Sequence, residues 1–477
     1  MGITLNPSTL LNGQGLDVST LVTEVLANQS GELTVLENEQ STLSTNAGLL
    51  QGINNDLNSL ATAVQGLADP TGALAAMAAN SSDSNILTAS AETSATAGTH
   101  SIVVDTLASA GMIYSEPMTN ANTSFLASGS SSGDIQLQVG GSNGTTYDLP
   151  ITAGSNDTLS TLASYINQQS TQNNWGLSAS VVSDANGSRL AIYSQSTGTS
   201  TALAISSNNT NLSFAAPVGG TDATFTLDGV PFETQTNAVT GAIPGVTLNL
   251  ASADPNTTVQ LTVGADVNQA TQAINNFVSA YNTVIGDINQ QYTVSSSTNN
   301  EGPLAADSAL RSLQTSLLND VTYSVAGSGG TVNLASLGIS MNDDGTLTVG
   351  NNASGQSLSQ VLQNDPSSVL NFFQNASSTG FANNFNNDLT NLTDPTAGVL
   401  NADIAQNQTQ QQNLTSDIDE FQQQLQSQQT ALTQQFNQVN STLQEYPATL
   451  NEVTSLLAGL TGSSTTSSTS SSSSTTL

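Results

Sequence analysis

The sequence predicts an elongated, multidomain α+β protein in which both chain ends form a helical bundle and coiled coil around nested β-rich head domains. Three observations predict this fold. Apolar residues recur at steps of three and four near both termini, which is the period of a coiled-coil seam. From about residue 88 to about residue 265, short β-branched runs alternate with Gly, Ser and Asn clusters. Hydrophobic residues make up only 36% and aromatic residues 4% of the 477 residues, which favours thin modules over one thick core.

The N-terminal seam belongs to a helix predicted to begin near Val18, with Asp17 as its cap. We expect this helix to end at Asp69-Pro70, because proline disfavours helical backbone in the residue before it. The seam residues that we assign to assembly are Leu36, Leu43, Leu50, Ile53 and Leu57.

The C-terminal seam lies in a helix predicted from about Leu400 to Leu460, with a kink expected at Pro447. Its flanking positions carry glutamine, serine and threonine, although interhelical Lys–Glu pairs normally set partner and register there. Specificity therefore has to come from apolar shape and from the neighbouring assembly. The seam residues are Leu414, Ile418, Phe421, Leu425, Leu432, Phe436, Val439 and Leu443.

The two seams allow two interpretations. They can pack only within one subunit, or their outermost segments, roughly 1–40 and 405–460, can stay exposed until they meet other subunits. The pattern favours the second interpretation, since matching periodicities at both ends build a rod that carries a head.

Further helices are predicted between the two terminal helices. TLSTLASYINQQ is an amphipathic helix within the β region, with Leu159, Leu162, Ala163 and Ile166 on one face. Another helix starts at about Val267, and more follow through AADSALRSLQTSLLNDV, SQVLQ and SSVLNFF. We interpret the run 331–349 as one hairpin with its turn at Asp344-Gly345.

These elements divide the chain into six regions. They are an N-terminal coiled-coil segment (1–40), a helical leg (41–80 and 266–404), a β-rich domain (81–115 and 222–265), an inserted β-rich head (116–221), a C-terminal coiled coil (405–461) and a disordered Ser/Thr tail (462–477).

The charge balance excludes several partners. The chain has 35 acids but only two basic residues, Arg189 and Arg311, and no lysine. With a net charge of −33 it cannot neutralise phosphates, so we expect neither a nucleic-acid partner nor binding to an anionic membrane. Cysteine is absent, and no apolar run is long enough to predict membrane insertion. The N-terminus lacks the pattern of a secretory signal, so if the protein leaves the cell, we expect it to do so without a cleaved signal peptide.

The sequence offers little for catalysis, and we expect no enzyme, no metal site and no cofactor. His100 is the single histidine and starts a predicted strand, so a structural or surface role is expected. MNDDGTLTV lacks the carboxylate spacing and the terminal Glu of a calcium loop, which favours a hairpin turn.

Six stretches in a fixed order resemble a known family. They are Gly15–Leu26, Ala97–Ala110, Thr158–Gly198, Leu227–Leu250, Phe277–Ile285 and Gly302–Leu318, followed by the C-terminal coiled coil. In this order they resemble the bacterial flagellar filament cap proteins, also called hook-associated protein 2, over roughly residues 10–460. The repeat centred on Ile166-Asn167 also resembles flagellin and hook–filament junction proteins, but the block Leu227–Leu250 favours the cap.

The resemblance implies a structural role at the distal tip of the flagellar filament. Members of this family form a ring-like homo-oligomer, with a subunit number near five, that directs the insertion and folding of exported flagellin. The implied partners are flagellin, hook–filament junction proteins and an export chaperone, and export by the flagellar type III apparatus is implied. The alternative is a surface adhesin whose β-rich head binds glycan or mucin.

The missing bases suggest a hypothesis about habitat. At a pH of about 3 most carboxylates approach neutrality, whereas Lys and Arg would stay charged and repel one another across interfaces. A coiled coil of Leu and Gln is nearly insensitive to that change. We therefore expect this chain to work outside the cell in acid, with escape from trypsin-like proteases as the alternative explanation.

Overall fold

The computed structural model describes residues 17–294, 301–327, 330–374 and 379–461. The Ser/Thr tail at 462–477 and the first sixteen residues of the predicted N-terminal segment lie outside the described residues. Eight α-helices occur in the described part of the chain. They are α1 (Val18–Ala68), α2 (Leu159–Asn173), α3 (Val267–Tyr292), α4 (Ser308–Asp320), α5 (Leu358–Asn364), α6 (Pro366–Gln374), α7 (Phe381–Thr393) and α8 (Val399–Thr461).

The strands form two groups, one in the middle of the chain and one within the C-terminal helical region. The middle group is β1 (Met77–Ser81), β2 (Leu87–Ala91), β3 (Gly98–Thr106), β4 (Met112–Tyr114), β5 (Ser132–Val139), β6 (Thr145–Thr152), β7 (Leu177–Asp184), β8 (Gly187–Ser194), β9 (Leu203–Asn208), β10 (Ala223–Leu227), β11 (Val230–Thr234), β12 (Ala238–Ile243), β13 (Val246–Leu250) and β14 (Asp254–Ala265). The second group is β15 (Ser324–Gly327), β16 (Gly330–Asn333), β17 (Ile339–Met341) and β18 (Leu347–Val349).

Three hydrophobic cores are nested along the chain. The helical core combines residues from 50–74 with residues from 270–404, the sheet core combines 86–108 with 223–263, and the head core lies within 113–212. The chain therefore runs outward through the first two units, builds the head and returns. The predicted α+β class with terminal helices and β-rich central units is confirmed.

The helical core is built around aromatic rings. The apolar face of α3 is buried, as is the face of α1 from Leu50 to Leu67. The ring of Phe381 lies 5.3 to 5.6 Å, between centroids, from four other phenylalanine rings. These neighbours are Phe277, Phe372, Phe373 and Phe385. We call the region around this core the leg.

The sheet core lies between two antiparallel sheets. One has the strand order β1-β14-β3-β10-β11 and the other the order β12-β13-β2. Val259, Leu261 and Val263 alternate with exposed residues along β14, which is the pattern of a strand with one buried face. The sheet pairs β14 with β3 and β1, so the two chain segments that flank the head are joined by hydrogen bonds.

The head consists of two three-stranded sheets, β4-β8-β7 and β6-β5-β9, and the amphipathic helix α2. Thr158 caps α2, and Leu159, Leu162, Ala163 and Ile166 are buried, as the sequence predicts. Asn167 fixes α2 to the edge strand β7. Its side chain donates to the carbonyl of Ala179 and accepts from the amide of Ala179, both at 2.8 Å.

Replacing Asn167 with alanine is expected to destabilise the head by about 2 kcal/mol, because both backbone groups of Ala179 lose a partner. Trp175, the single tryptophan, lies in the head, so its fluorescence during urea unfolding reports on this unit. The control is Gln168→Ala, at an exposed position on the same helix. It should change the free energy of unfolding by less than about 0.5 kcal/mol. Equal midpoints for Asn167→Ala and the control would contradict this role of Asn167.

Several local predictions are confirmed, and one is wrong. Asp17 caps α1 by accepting from the Thr20 amide at 3.2 Å, and α1 ends at Ala68. The single hairpin predicted over 331–349 is wrong in extent: β16 pairs with β15, and only β17 and β18 flank the Asp344-Gly345 turn. The interruption is a 3-10 turn at Ala335–Leu337, which Asn333 and Ser336 brace by mutual hydrogen bonds. The helix α8 runs through position 447, and the predicted kink there stays a prediction.

Candidate assembly surface

The two terminal helices lie side by side and run in opposite directions. Gln40 donates from its amide nitrogen to the Thr415 hydroxyl at 2.8 Å, and Asn54 donates to the Asn401 side-chain oxygen at 3.4 Å. From Asn54 back to Gln40 is fourteen residues along α1, and from Asn401 forward to Thr415 is also fourteen residues along α8. The two helices are therefore antiparallel, with no shift in register between the two contacts. This register brings the two predicted seams of one chain together.

Burial along the seam falls steadily from the leg outwards. Leu50, Ile53 and Leu57 are at most 2% exposed, because α3 and α7 cover α1 from other sides. Leu414 and Ile418 are 8% and 6% exposed. The half-buried seam residues are Leu36, Leu43, Phe421, Leu425, Leu432 and Phe436. Val439 and Leu443, the last two, are exposed.

The apolar face of α8 continues past its partner helix. Extending the register places Val18, the first residue of α1, opposite about residue 437 of α8. Beyond this point the described part of α1 offers nothing to cover the face. Its apolar residues are between 38% and 65% exposed. We call this surface the outer α8 face, formed by Val439, Leu443, Tyr446, Leu450, Val453 and Leu456.

A groove between α1 and α8 shows that the half-buried part of the seam is also open to solvent. It has a volume of about 340 Å³. Leu26, Leu33 and Leu425 line it together with glutamine, serine and threonine side chains. Two helices with such small polar flanks leave room for the side chains of a further helix. Asp417, Asp419 and Glu420 lie on the exposed side of α8, away from this groove.

No group of side chains in the described part of the chain has the composition of a metal site. His100 lies on β3, and its Nδ1 is 2.8 Å from a carboxylate oxygen of Asp228 in the turn between β10 and β11. The same carboxylate accepts from the Ser101 amide at 2.8 Å, so the pair fixes this turn to the neighbouring strand. Among the described helices, none has the length and apolarity needed to span a bilayer.

Sequence reasoning missed two arrangements. Tyr147 and Trp175 stack in the head with their ring centroids 4.6 Å apart, and both are half-buried. Pairs of aspartates also meet between helices of the leg, as described below. In both cases the partners are distant in the chain, so periodicity carries no signal for them.

Comparison with known families identifies the chain. The model described as "Flagellar hook-associated protein 2 N-terminus" matches residues 14–111, and the corresponding C-terminus model matches residues 220–448. Together these matches cover about two thirds of the chain. The span between them contains the head core.

Relatives and solved structures agree. The chain is 27% identical over 465 residues to the B-type flagellar hook-associated protein 2 of Pseudomonas aeruginosa, covering 91% of this chain and 93% of the relative. It is 26% identical over 385 residues to flagellar hook-associated protein 2 of Escherichia coli K12, covering 76% of this chain and 79% of the relative. The crystal structure of the D1-D2-D3 domains of the flagellar cap protein FliD from Escherichia coli superposes with a TM-score of 0.56 at 26% identity, covering 75% of this chain and 99% of that one. The chain therefore belongs to the flagellar hook-associated protein 2 family.

Proposed function

We propose that this chain caps the distal tip of a flagellar filament as a ring-like homo-oligomer and directs the insertion of exported flagellin. The observation that supports this most is the outer α8 face, an apolar heptad surface that extends beyond the intramolecular partner helix. A contiguous exposed apolar surface of this kind is typical of a protein–protein interaction site. Membership of the hook-associated protein 2 family supports the same role.

The proposed assembly surface consists of the two seams. Its inner residues, Leu50, Ile53 and Leu57, hold α1 in the leg, and its outer residues on α8 meet neighbouring subunits. Uncharged flanks suit this task, because a seam without fixed charge pairs can accept helices of more than one neighbour. The six regions assigned from the sequence remain our proposal for the division of labour: terminal segments for docking, the leg as support and the head facing outwards.

The proposed partners follow from this position. They are other copies of the chain, in a number near five, flagellin and hook–filament junction proteins. We place the protein outside the cell at the flagellar tip, after export by the flagellar type III apparatus with an export chaperone. The role is structural and involves no catalysis.

A strain lacking the gene tests this proposal. Flagellin should leak into the medium as monomer while the cells carry hooks without filaments, and a copy of the gene supplied in trans should restore the filaments. Gel analysis of the medium and electron microscopy of the cells measure both quantities. Filaments of normal number and length in the deletion strain would contradict capping.

A second candidate function is adhesion through the head. The half-buried stack of Tyr147 and Trp175 favours it, because aromatic faces at a surface pack against the apolar faces of sugar rings. In that case the deletion strain would keep normal filaments and lose attachment to glycan- or mucin-coated surfaces. The same strain therefore separates the two functions.

A further inference from the structure

Three pairs of aspartate carboxyl groups meet inside the leg, and each pair joins two different elements. In every pair the two carboxyl groups lie close enough to interact with each other, and all six residues are half-buried. The pairs are Asp56 of α1 with Asp287 of α3, Asp307 before α4 with Asp403 of α8, and Asp320 at the end of α4 with Asp388 of α7.

No ion pair joins a base to these carboxyl groups in the described part of the chain. Lysine is absent, and Arg189 lies in the head. The guanidinium of Arg311, on α4, donates to the carbonyl of Ala305 at 3.2 Å. Tyr281 of α3 also faces one of the pairs: its fully buried hydroxyl finds no hydrogen-bond partner and lies within electrostatic reach of Asp320.

Two carboxylates that meet without a cation can form a hydrogen bond only when one of them carries a proton, since an ionised carboxylate is purely an acceptor. The Asp320 Oδ2 atom is buried and has no donor, which is the situation of an oxygen that needs this proton. Asp320 is also the last residue of α4, where the partial negative charge of the helix end disfavours a second negative charge.

The pair at the start of α4 has a clear division of roles. Asp307 is the N-cap and accepts from the amides of Ala309 and Leu310 at 2.8 and 3.0 Å. Asp307 is thus already engaged as an acceptor, and burial raises the pKa of Asp403. Asp403 is therefore the carboxyl group placed to donate the shared proton, which links α8 to α4.

We propose that three shared protons, one in each aspartate pair, hold the helices of the leg together, so that the leg is tight in mild acid and loosens in alkali. The pairs join α1 to α3, α4 to α7 and α4 to α8. They therefore act on the part of the molecule that supports the seam. This property is separate from the proposed capping role and can be tested on the isolated full-length chain.

The direction of the pH dependence follows from the carboxyl groups. Burial, with the hydrogen bond and charge of Asp388, raises the pKa of Asp320 to about 8. Burial, with Asp307, raises the pKa of Asp403 to about 6, and burial beside Asp56 raises the pKa of Asp287. A carboxyl group whose pKa is higher in the folded chain favours folding at low pH. Its stabilising effect is complete below the unfolded value of 3.8 and is lost as the pH rises through about 6 and then about 8.

A second group of carboxylates acts in the opposite direction. Hydrogen bonds to hydroxyls and amides lower the pKa of Asp17, Asp69, Asp254 and Asp344, which are capping or turn residues on the surface. Their stabilising effect is present above 3.8 and is lost as the pH falls through their lowered values. The folded chain is therefore expected to be most stable between about pH 4 and 6.

Thermal unfolding of the full chain, followed by circular dichroism at pH 5 and pH 9, tests this proposal with the variant Asp320→Asn. Asparagine donates the hydrogen bond without needing a proton. The variant should melt within about 1 °C of the wild type at pH 5 and about 5 °C above it at pH 9. Asp343→Asn is the matched control, because it removes the same charge from an exposed position in the leg. An equal gain from the control at pH 9, or the same difference at both pH values, would overturn the proposal.

Hydrogen exchange measured by mass spectrometry locates the loosening. After correction for the intrinsic pH dependence of exchange, peptides of α3, α4 and α7 should lose protection between pH 5 and pH 9, whereas head peptides from β5 and β6 keep it. The triple variant of Asp287, Asp320 and Asp403 to asparagine should retain leg protection at pH 9. Equal loss in head and leg would mean that overall repulsion by a net charge of −33 is responsible, and would refute the shared protons.

Discussion

We expect cells that express the double variant Leu450→Gln, Val453→Gln in place of the wild type to lack filaments and to release flagellin into the medium. The two side chains are 54% and 57% exposed on the outer α8 face. Their replacement removes apolar surface that has no cover in the described part of the same chain. The melting temperature of the purified chain should therefore stay within about 1 °C of the wild type, since exposed substitutions change stability little.

The matched control is Asn451→Gln, Glu452→Gln, which alters two exposed polar positions between those residues. It should leave filament number and length unchanged. Electron microscopy and the amount of flagellin in the medium are the measurements, with export of each variant checked by immunoblot. Normal filaments with the Leu450, Val453 variant would show that the outer α8 face takes no part in capping.

Replacing Phe381 with alanine is expected to destabilise the leg by about 3–5 kcal/mol, because it leaves a cavity at the centre of the aromatic cluster. Phe381 is 1% exposed and contacts four other phenylalanine rings as well as Tyr323. A loss of this size is a large share of the stability of one domain. Calorimetry of the full chain measures it as a lower melting temperature of the leg transition.

Two comparisons make the Phe381 prediction specific. Phe381→Leu keeps most of the volume and should lose less than about half as much stability. Phe232→Ala alters a partly buried ring of the sheet core, which stacks on Phe225 at 5.2 Å, and should leave the leg transition in place. Equal shifts of the leg transition for Phe381→Ala and Phe232→Ala would contradict a separate leg core.

The elements that the sequence predicts well are those with a local cause. The step of three and four in α1, its cap at Asp17 and the buried face of α2 can all be read from neighbouring residues. The hairpin over 331–349 was mispredicted because the strand pattern is continuous there, whereas the mutual hydrogen bonds of Asn333 and Ser336 turn the chain. Side-chain bonds of this kind compete with strand pairing and leave no periodic signal.

The sequence predicts which residues belong to the seam, but it does not predict how many of them a partner helix covers. Heptad spacing marks the same residues whether a partner covers them or not, so the burial of seam positions cannot be ranked from sequence. Ile418 is 6% exposed and Val439 is 48% exposed on the same seam. That difference depends on where α1 begins relative to α8, a property of the register between distant segments. The aspartate pairs of the leg are invisible in the sequence for the same reason.

The aspartate pairs give a structural basis for the hypothesis drawn from the missing bases. A coiled coil of Leu and Gln is nearly insensitive to acid, and the proposed shared protons would stabilise the leg at low pH. Both features point to a protein whose folded state persists at low pH. The hypothesis of an acidic habitat stays a prediction. Circular dichroism tests it, and loss of helix below about pH 4 would contradict it.

The most direct test of the proposed assembly is photo-crosslinking from the outer α8 face in growing filaments. A benzoylphenylalanine residue at position 450, with position 451 as the control, is illuminated on intact cells, and the products are identified by mass spectrometry. The proposal predicts that position 450 crosslinks to flagellin or to a second copy of this chain, and that position 451 does so at least tenfold less. Crosslinks from position 450 confined to residues of its own chain would show that the outer α8 face closes within one subunit, and would contradict the proposal.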